Sequence, residues 1–324
     1  MKIVLPGGSG QVGTLLAREM TSDGHEVVVL SRRPAPAPWR TVAWDGQTVG
    51  DWAGELEGAD AVINLAGRSV NCRYNAANRR EILDSRIDST RAVGQAIERC
   101  QSAPKTWLQA STATIYAHRY DAANDEATGV LGGEEPNAPD TWRFSIDVAS
   151  QWERAAESFN LPGTRLVLLR SAMTMSPDRG GVFDTMLGLV RKGLGGTNGD
   201  GRQYVSWVHD VDFVRAVDWI LEHDSLAGAV NVASPHPLPN REFMYGLRRA
   251  WGTGVGLPST QWMLEVGAVF LRTETELVLK SRRVVPGQLL ESGFEFLLPD
   301  WPDAAADLCR RWRAARSPGD PAPP

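Results

Sequence analysis

The chain has 324 residues, 42% of them apolar, and a formal net charge of −5. That length serves one large domain or two coupled ones, and the excess of acid argues against a nucleic-acid-binding surface. No run approaches the roughly 20 apolar residues of a membrane span, and a first strand expected from residue 2 leaves no leader, so the expectation is a cytoplasmic protein off the membrane.

Lys2 to Gly13, KIVLPGGSGQVG, opens on the apolar run Ile3-Val4-Leu5 and breaks into glycines. A helical pattern follows, with Leu15, Leu16 and Met20 on one face. Strand, glycine turn and helix in that order make a dinucleotide-binding crossover. Gly7 permits the tight turn, Gly10 lets a pyrophosphate approach the backbone, and Gly13 lets the helix pack on the strand. With Gly8, Ser9, Gln11 and Val12 they form the predicted cofactor cradle, its free N–H groups facing phosphate.

The next strand, 25–31, ends in Ser31, Arg32 and Arg33. An NAD enzyme usually places a carboxylate about 20 residues beyond the glycines, to accept from the ribose 2′-hydroxyl. Two guanidiniums stand there instead, and a planar fork suits the 2′-phosphate of NADP(H). The other reading is a solvated pair at a strand end. Buried strands are expected at 60–67, 105–111 and 165–170, and helices at 81–100 and 148–159. Repeated strand–helix alternation predicts an α/β fold, a Rossmann-type doubly wound parallel sheet with helices on both faces.

Beyond Arg170 the pattern loosens. The stretch 193–201 reads as a loop over a ligand or a plain surface loop. A helix is expected from Trp207 to about His223, then a strand at 230–233 returning to the sheet. Helices alternate with loops from Asn240, where Trp251, Trp262 and Phe270 offer apolar mass for a small, mostly helical cap. The predicted division is a Rossmann domain of 1–175 rejoined by 205–235, a substrate cap of 176–204 and 236–316, and a disordered tail, 317–324. The cleft between the two units is the expected substrate site. Cys72, Cys100 and Cys309 are isolated, with no CxxC, and read as reduced thiols; no His or carboxylate pattern suggests a metal.

Several motifs accumulate along this frame: Ala61-Val-Ile-Asn-Leu-Ala-Gly67, Ser85-Arg86, Ser111 with Tyr116, Trp152-Glu153, and Gly199-Asp-Gly-Arg-Gln203. Ser206-Trp-Val-His209, Pro286-Gly-Gln-Leu289 and Gly293-Phe-Glu-Phe296 complete the set. With them the chain resembles the extended short-chain dehydrogenase/reductase superfamily. More narrowly it resembles NAD-dependent epimerase/dehydratase-like proteins with a C-terminal segment of undefined function. The resemblance implies a bound NADP(H), with Leu65, Ala66, Gly67 and Arg170 joining the cofactor site. It places Arg202, Trp207 and His209 toward a small-molecule substrate, and implies a homodimer formed through helices such as 81–100 and 148–159.

Ordinary members of that superfamily use Tyr-x-x-x-Lys, whose spacing sets both side chains on one helix face, where the lysine lowers the tyrosine pKa. The residues four beyond the five tyrosines are Asn78, Tyr120, Asn124, Val208 and Arg249, none of them lysine. Aligning Glu153 with the acid that follows the motif puts Ser145 and Ala149 where tyrosine and lysine belong. Ser111 is then the candidate to hold a substrate oxygen, or a small residue closing a buried strand. Tyr116 is the candidate proton donor or clamp, or an aromatic packing the cleft wall. His209 offers acid–base chemistry or a hinge at a helix start; His118 is open in the same way, and Asp125-Glu126 reads as a turn. The leading expectation is an NADP(H)-dependent oxidoreductase or epimerase-like enzyme on a small polar metabolite. The alternatives are a non-catalytic NADPH-binding regulator, as some relatives are linked to division, and a redox-neutral lyase or cyclase.

Overall fold

The computed structural model describes residues 1–136, 138–258 and 279–316. Trp262, Phe270 and the expected tail lie outside the described residues. The sheet comprises β1 (Lys2–Pro6), β2 (Glu26–Ser31), β3 (Arg40–Ala43), β4 (Ala61–Asn64), β5 (Thr106–Thr112), β6 (Arg165–Ser171) and β10 (Gly228–Val232). Its order is β10-β6-β5-β4-β1-β2-β3, with every neighbouring pair parallel. The chain reverses its direction of travel across the sheet between β1 and β4. That switch point is where an open α/β sheet takes its ligand, at the carboxyl ends of the strands.

Strand alternation sorts the apolar residues into two layers. Ile3, Leu5, Val27, Val29, Ile63 and Leu108 face one side and pack against α1 (Gln11–Ser22) and α5 (Asp210–Glu222). Val4, Val28, Leu30, Val62 and Trp107 face the other, under α2 (Ala76–Arg99). α3 (Asp140–Glu157) packs beside α2 and reaches that layer through Ala156.

A separate apolar cluster is built by α4 (Val182–Arg191), α6 (Asn240–Trp251) and a C-terminal helix, with Phe183, Leu187, Phe243, Leu247, Trp301 and Leu308 at its centre. Two small ribbons join the regions: β7 (Met173–Met175) pairs with β9 (Trp207–His209), and β8 (Tyr204–Val205) with β11 (Leu238–Pro239). A one-turn helix, α7 (Gly287–Glu291), lies against β10, and α8 (Trp301–Ala314) closes the described chain.

Several expected boundaries move. α2 starts at Ala76, where the Asn75 side chain accepts from the Asn78 N–H; its first turn, Ala76 to Arg79, holds no large apolar residue and so carried no periodic signal. α3 starts eight residues before the expected 148, at Asp140. α4, just before the expected loop at 193–201, was not anticipated. Trp207–His209 is a strand, and the helix expected from Trp207 begins at Asp210.

Candidate functional site

The turn after β1 has no room for side chains. Gly7 sits at φ +75°, and a Cβ there would lie 2.6 Å from the Ala66 Cα. A Cβ on Gly13 would lie 2.4 Å from the Gly8 Cα, so the first turn of α1 rests directly on the loop backbone. Gly10 stands at the N-cap of α1 with no side-chain cap, and the first turn holds no acid. Helix N–H groups and the dipole are thus left for an external anion. Val12 instead packs on the sheet core, and the Gln11 side chain lies across Gly181.

At the end of β2, the Ser31 hydroxyl donates to Ser9 Oγ at 3.1 Å and accepts the Arg33 N–H at 3.2 Å. Ser9, Ser31, Arg32 and Arg33 line a cavity of about 480 Å³. Both arginines are exposed, and no described carboxylate pairs with either. A second cavity of about 250 Å³ shares Ser9, Ser31 and Arg32, and runs past Gly7 and Gly10 to Leu65, Ala66 and Gly67. Together they form one groove across the carboxyl ends of β2, β1 and β4, lined by glycine backbone, two serines and two arginines toward the β2 end. The groove also includes Asp45, Arg68 and Ser85, which the sequence reading missed. Asp45 accepts from the Gln47 and Thr48 N–H groups and the Thr48 hydroxyl, and the Thr48 bonds hold its carboxyl below the usual range. The Asp-Gly pair after β3 was its available signal.

The other end of the sheet is closed by charge pairing. Ser111 Oγ donates to Glu153 Oε1 at 2.5 Å. Arg170 clamps the same carboxylate from Nε and Nη2, at 2.8 and 2.7 Å, and its Nη1 donates to Tyr116 Oη at 3.0 Å. Tyr116 donates in turn to Asn231 Oδ1 at 3.0 Å. Tyr116 is 2% exposed, and burial pushes its phenol up, against the opposing pull of Arg170 and Asn231. Ala149, in the lysine position, is fully buried beside Ala113, Ile115 and Tyr116. Ser111, Tyr116 and Arg170 thus form one buried network joining β5, α3, β6 and β10, and none of them lines the groove. The next residue on β5, Thr112, is half-buried; its Oγ1 accepts the Thr114 N–H at 3.2 Å, and its hydroxyl proton goes to no described acceptor.

This geometry accords with the comparisons. The sequence profile of the NAD dependent epimerase/dehydratase family matches residues 3–233.

The chain belongs to that family.

A domain of unknown function (DUF1731) matches residues 260–308. The epimerase family protein SDR39U1 of Homo sapiens is 30% identical over 305 residues, covering 93% of this chain and 97% of that protein. The epimerase family protein SERP0438 of Staphylococcus epidermidis is 29% identical over 311 residues, covering 95% and 99%. The crystal structure of human SDR39U1 (isoform 2) with NADPH is similar at a TM-score of 0.84 and 29% identity, covering 96% of this chain and 99% of that one.

Two of the three residues expected to face substrate in this epimerase-family chain, Trp207 and His209, are buried instead. Trp207 is fully buried against Trp301, ring centroids 4.9 Å apart, in the core between β9 and α8. His209 is 1% exposed: Nδ1 accepts the Val211 N–H at 3.2 Å, capping α5, and Nε2 lies 3.1 Å from Asp307 Oδ2 of α8. Burial holds its imidazole pKa down despite Asp210. It is the helix-start hinge of the alternative reading. Arg202 is on the surface, 5.5 Å over the Tyr120 ring. Arg170, expected at the cofactor, is held by Glu153 and Tyr116. Among the described residues, no helix is long and apolar enough to cross a membrane.

Proposed function

We propose that the protein is an NADP(H)-dependent oxidoreductase or epimerase-like enzyme acting on a small polar metabolite. The observation that carries this reading is the groove end lined by Ser31, Arg32 and Arg33. A 2′-phosphate there supplies the counter-charge that no described carboxylate gives the two guanidiniums. NADPH in the human SDR39U1 structure supports the same choice. The glycine turn and α1 N-terminus hold the pyrophosphate, and Leu65 to Gly67 form the opposite wall. When bound, the cofactor supplies hydride chemistry.

The proton falls to a residue other than Ser111 or Tyr116, whose hydroxyls are committed to Glu153 and Asn231. Thr112 is favoured, because it is half-buried at the strand end with an uncommitted hydroxyl proton. It hydrogen-bonds a substrate oxygen and relays the proton between that oxygen and solvent water, since a threonine hydroxyl does not itself ionise near neutral pH. Two experiments test this reading. The 12 tryptophans permit an energy-transfer titration, in which NADPH binds far more tightly than NADH. Turnover with 4-deuterated NADPH then labels the product. Unlabelled product in the presence of turnover, together with no transfer of deuterium from a labelled substrate to NADP+, removes hydride transfer and leaves a redox-neutral lyase.

A second reading, an NADPH-binding regulator without turnover, is favoured by the burial of Tyr116 and by Ala149 in the lysine position. NADPH-dependent capture of a defined partner, with no labelled product across a substrate screen, would select it.

A further inference from the structure

Several arginines on α2, on the loop before it and on β6 are paired with an acid. Arg68 pairs with Glu81, Arg79 with Asp140, and Arg170 with Glu153. Arg86, on α2, does not. Its Nη1 donates to two main-chain carbonyls, Arg68 O at 3.0 Å and Ile82 O at 2.9 Å. Its guanidinium stacks over the Trp152 indole, 4.8 Å from the ring centroid. Neither Nε nor Nη2 donates to a described acceptor, and no described carboxylate lies within ion-pair distance. Burial lowers its pKa to about 10, with Tyr74 the one charged influence against that trend. A guanidinium drawn partly out of water with two of its donor edges unfilled is costly, and acceptor oxygens of a ligand would fill them.

Its position says which ligand. A Cβ on Gly67 would lie 3.2 Å from Arg86 Cγ and Cζ and 3.4 Å from Nε. The Nε side of the fork therefore sits directly behind the loop that lines the groove with Gly67, Arg68 and Ser85. Ser85 Oγ accepts the Arg68 N–H at 2.9 Å, which holds that loop against α2. Trp152, on which the guanidinium lies, is one helical turn beyond Ala149, the position where the lysine of the usual pair is absent. The strand order supplies the direction. Arg32 and Arg33 fix the adenosine phosphate on the β2 side of β1, so the other half of a dinucleotide runs to the β4 side, where Gly67 is.

We propose that Arg86 is a cofactor-binding residue: from α2 it supplies the cation that α3 lacks, and its Nε–Nη2 edge holds the hydroxyl oxygens of the nicotinamide-side ribose. The proposal rests on the dinucleotide reading of the groove and adds to it a residue at the end remote from Arg32.

The test compares two probes on the full chain, NADPH and 2′,5′-ADP, the second lacking the nicotinamide riboside. Arg86→Met weakens NADPH about tenfold, the value of one charge-assisted hydrogen bond, and leaves 2′,5′-ADP unchanged. Arg86→Lys recovers part of the NADPH affinity. Unchanged 2′,5′-ADP binding also shows that the variant folds. Equal weakening of both probes overturns the proposal, because Arg86 then only shapes the loop; so does no effect on either. Failure of the wild-type chain to bind either probe overturns it together with the dinucleotide reading, and is distinguishable for that reason.

Discussion

The two ends of the sheet use the same residue type in opposite ways. At the β2 end, Arg32 and Arg33 stand exposed beside a cavity with no described acid partner. At the β5–β6 end, Arg170 is 9% exposed and bound on three sides by Glu153 and Tyr116. An arginine with its own carboxylate is held as part of the scaffold; Arg32 and Arg33, without one among the described residues, keep their donors for the proposed anion. Ser111 and Tyr116 belong with Arg170 in this division, although they sit in the sequence where chemistry is expected.

The comparison is most severely tested by removing the scaffold's acid. Glu153→Gln leaves Arg170 buried without its counter-charge and is expected to cost about 3–5 kcal/mol of stability in denaturant unfolding. A loss below about 1 kcal/mol would mean that the network is not structural. At the open end, Arg32→Ala is expected to weaken NADPH binding by about tenfold to a hundredfold while leaving NADH and the melting temperature alone. Equal loss of both cofactors would remove the 2′-phosphate assignment. Tyr116→Phe unpairs Asn231 and one Arg170 donor, and should cost about 1–2 kcal/mol with cofactor affinity intact. If turnover vanishes while stability holds, Tyr116 is catalytic after all, and the division between the two ends fails there.

The smallest effect concerns a charge that is neither paired nor open. Burial, with Asp23 and Glu222 nearby, raises Asp218 on α5 to about 6, and its Oδ1 has no described hydrogen-bond partner. The folded chain keeps this proton in a range where the unfolded chain has released it. Stability should therefore be greatest below the unfolded value of about 4, fall as pH rises through about 6, and be lower by roughly 1–2 kcal/mol at neutral pH. Asp218→Asn should flatten that part of the pH–stability curve; an unchanged curve would show that Asp218 is effectively solvated.

Much of the cofactor end was legible because its signals are local. The glycine spacing, the apolar runs 3–5 and 27–30, and the Ser31-Arg32-Arg33 ending lie within about three dozen residues, and backbone sterics alone translate them into a turn and a groove. The reaction end was not legible in that way. Ser111 and Thr112 are adjacent, and strand alternation sends them to opposite faces, but only α3 packing against β5 decides that Ser111 meets Glu153. Tyr116 finds Asn231 across 115 residues, and His209 finds Asp307 across 98. The Trp207 and His209 motif carried a functional look, yet its partners are in α8.

By itself the sequence determined the parallel sheet, its glycine turn, and the presence of two arginines where a carboxylate reads ribose, because short-range sterics and periodicity govern all three. The tertiary structure alone decided which polar groups are paired. Glu153 neutralises Arg170, whereas Arg86 finds, among the described residues, only carbonyls and an indole, since pairing depends on which distant elements bring an acid within a few ångströms.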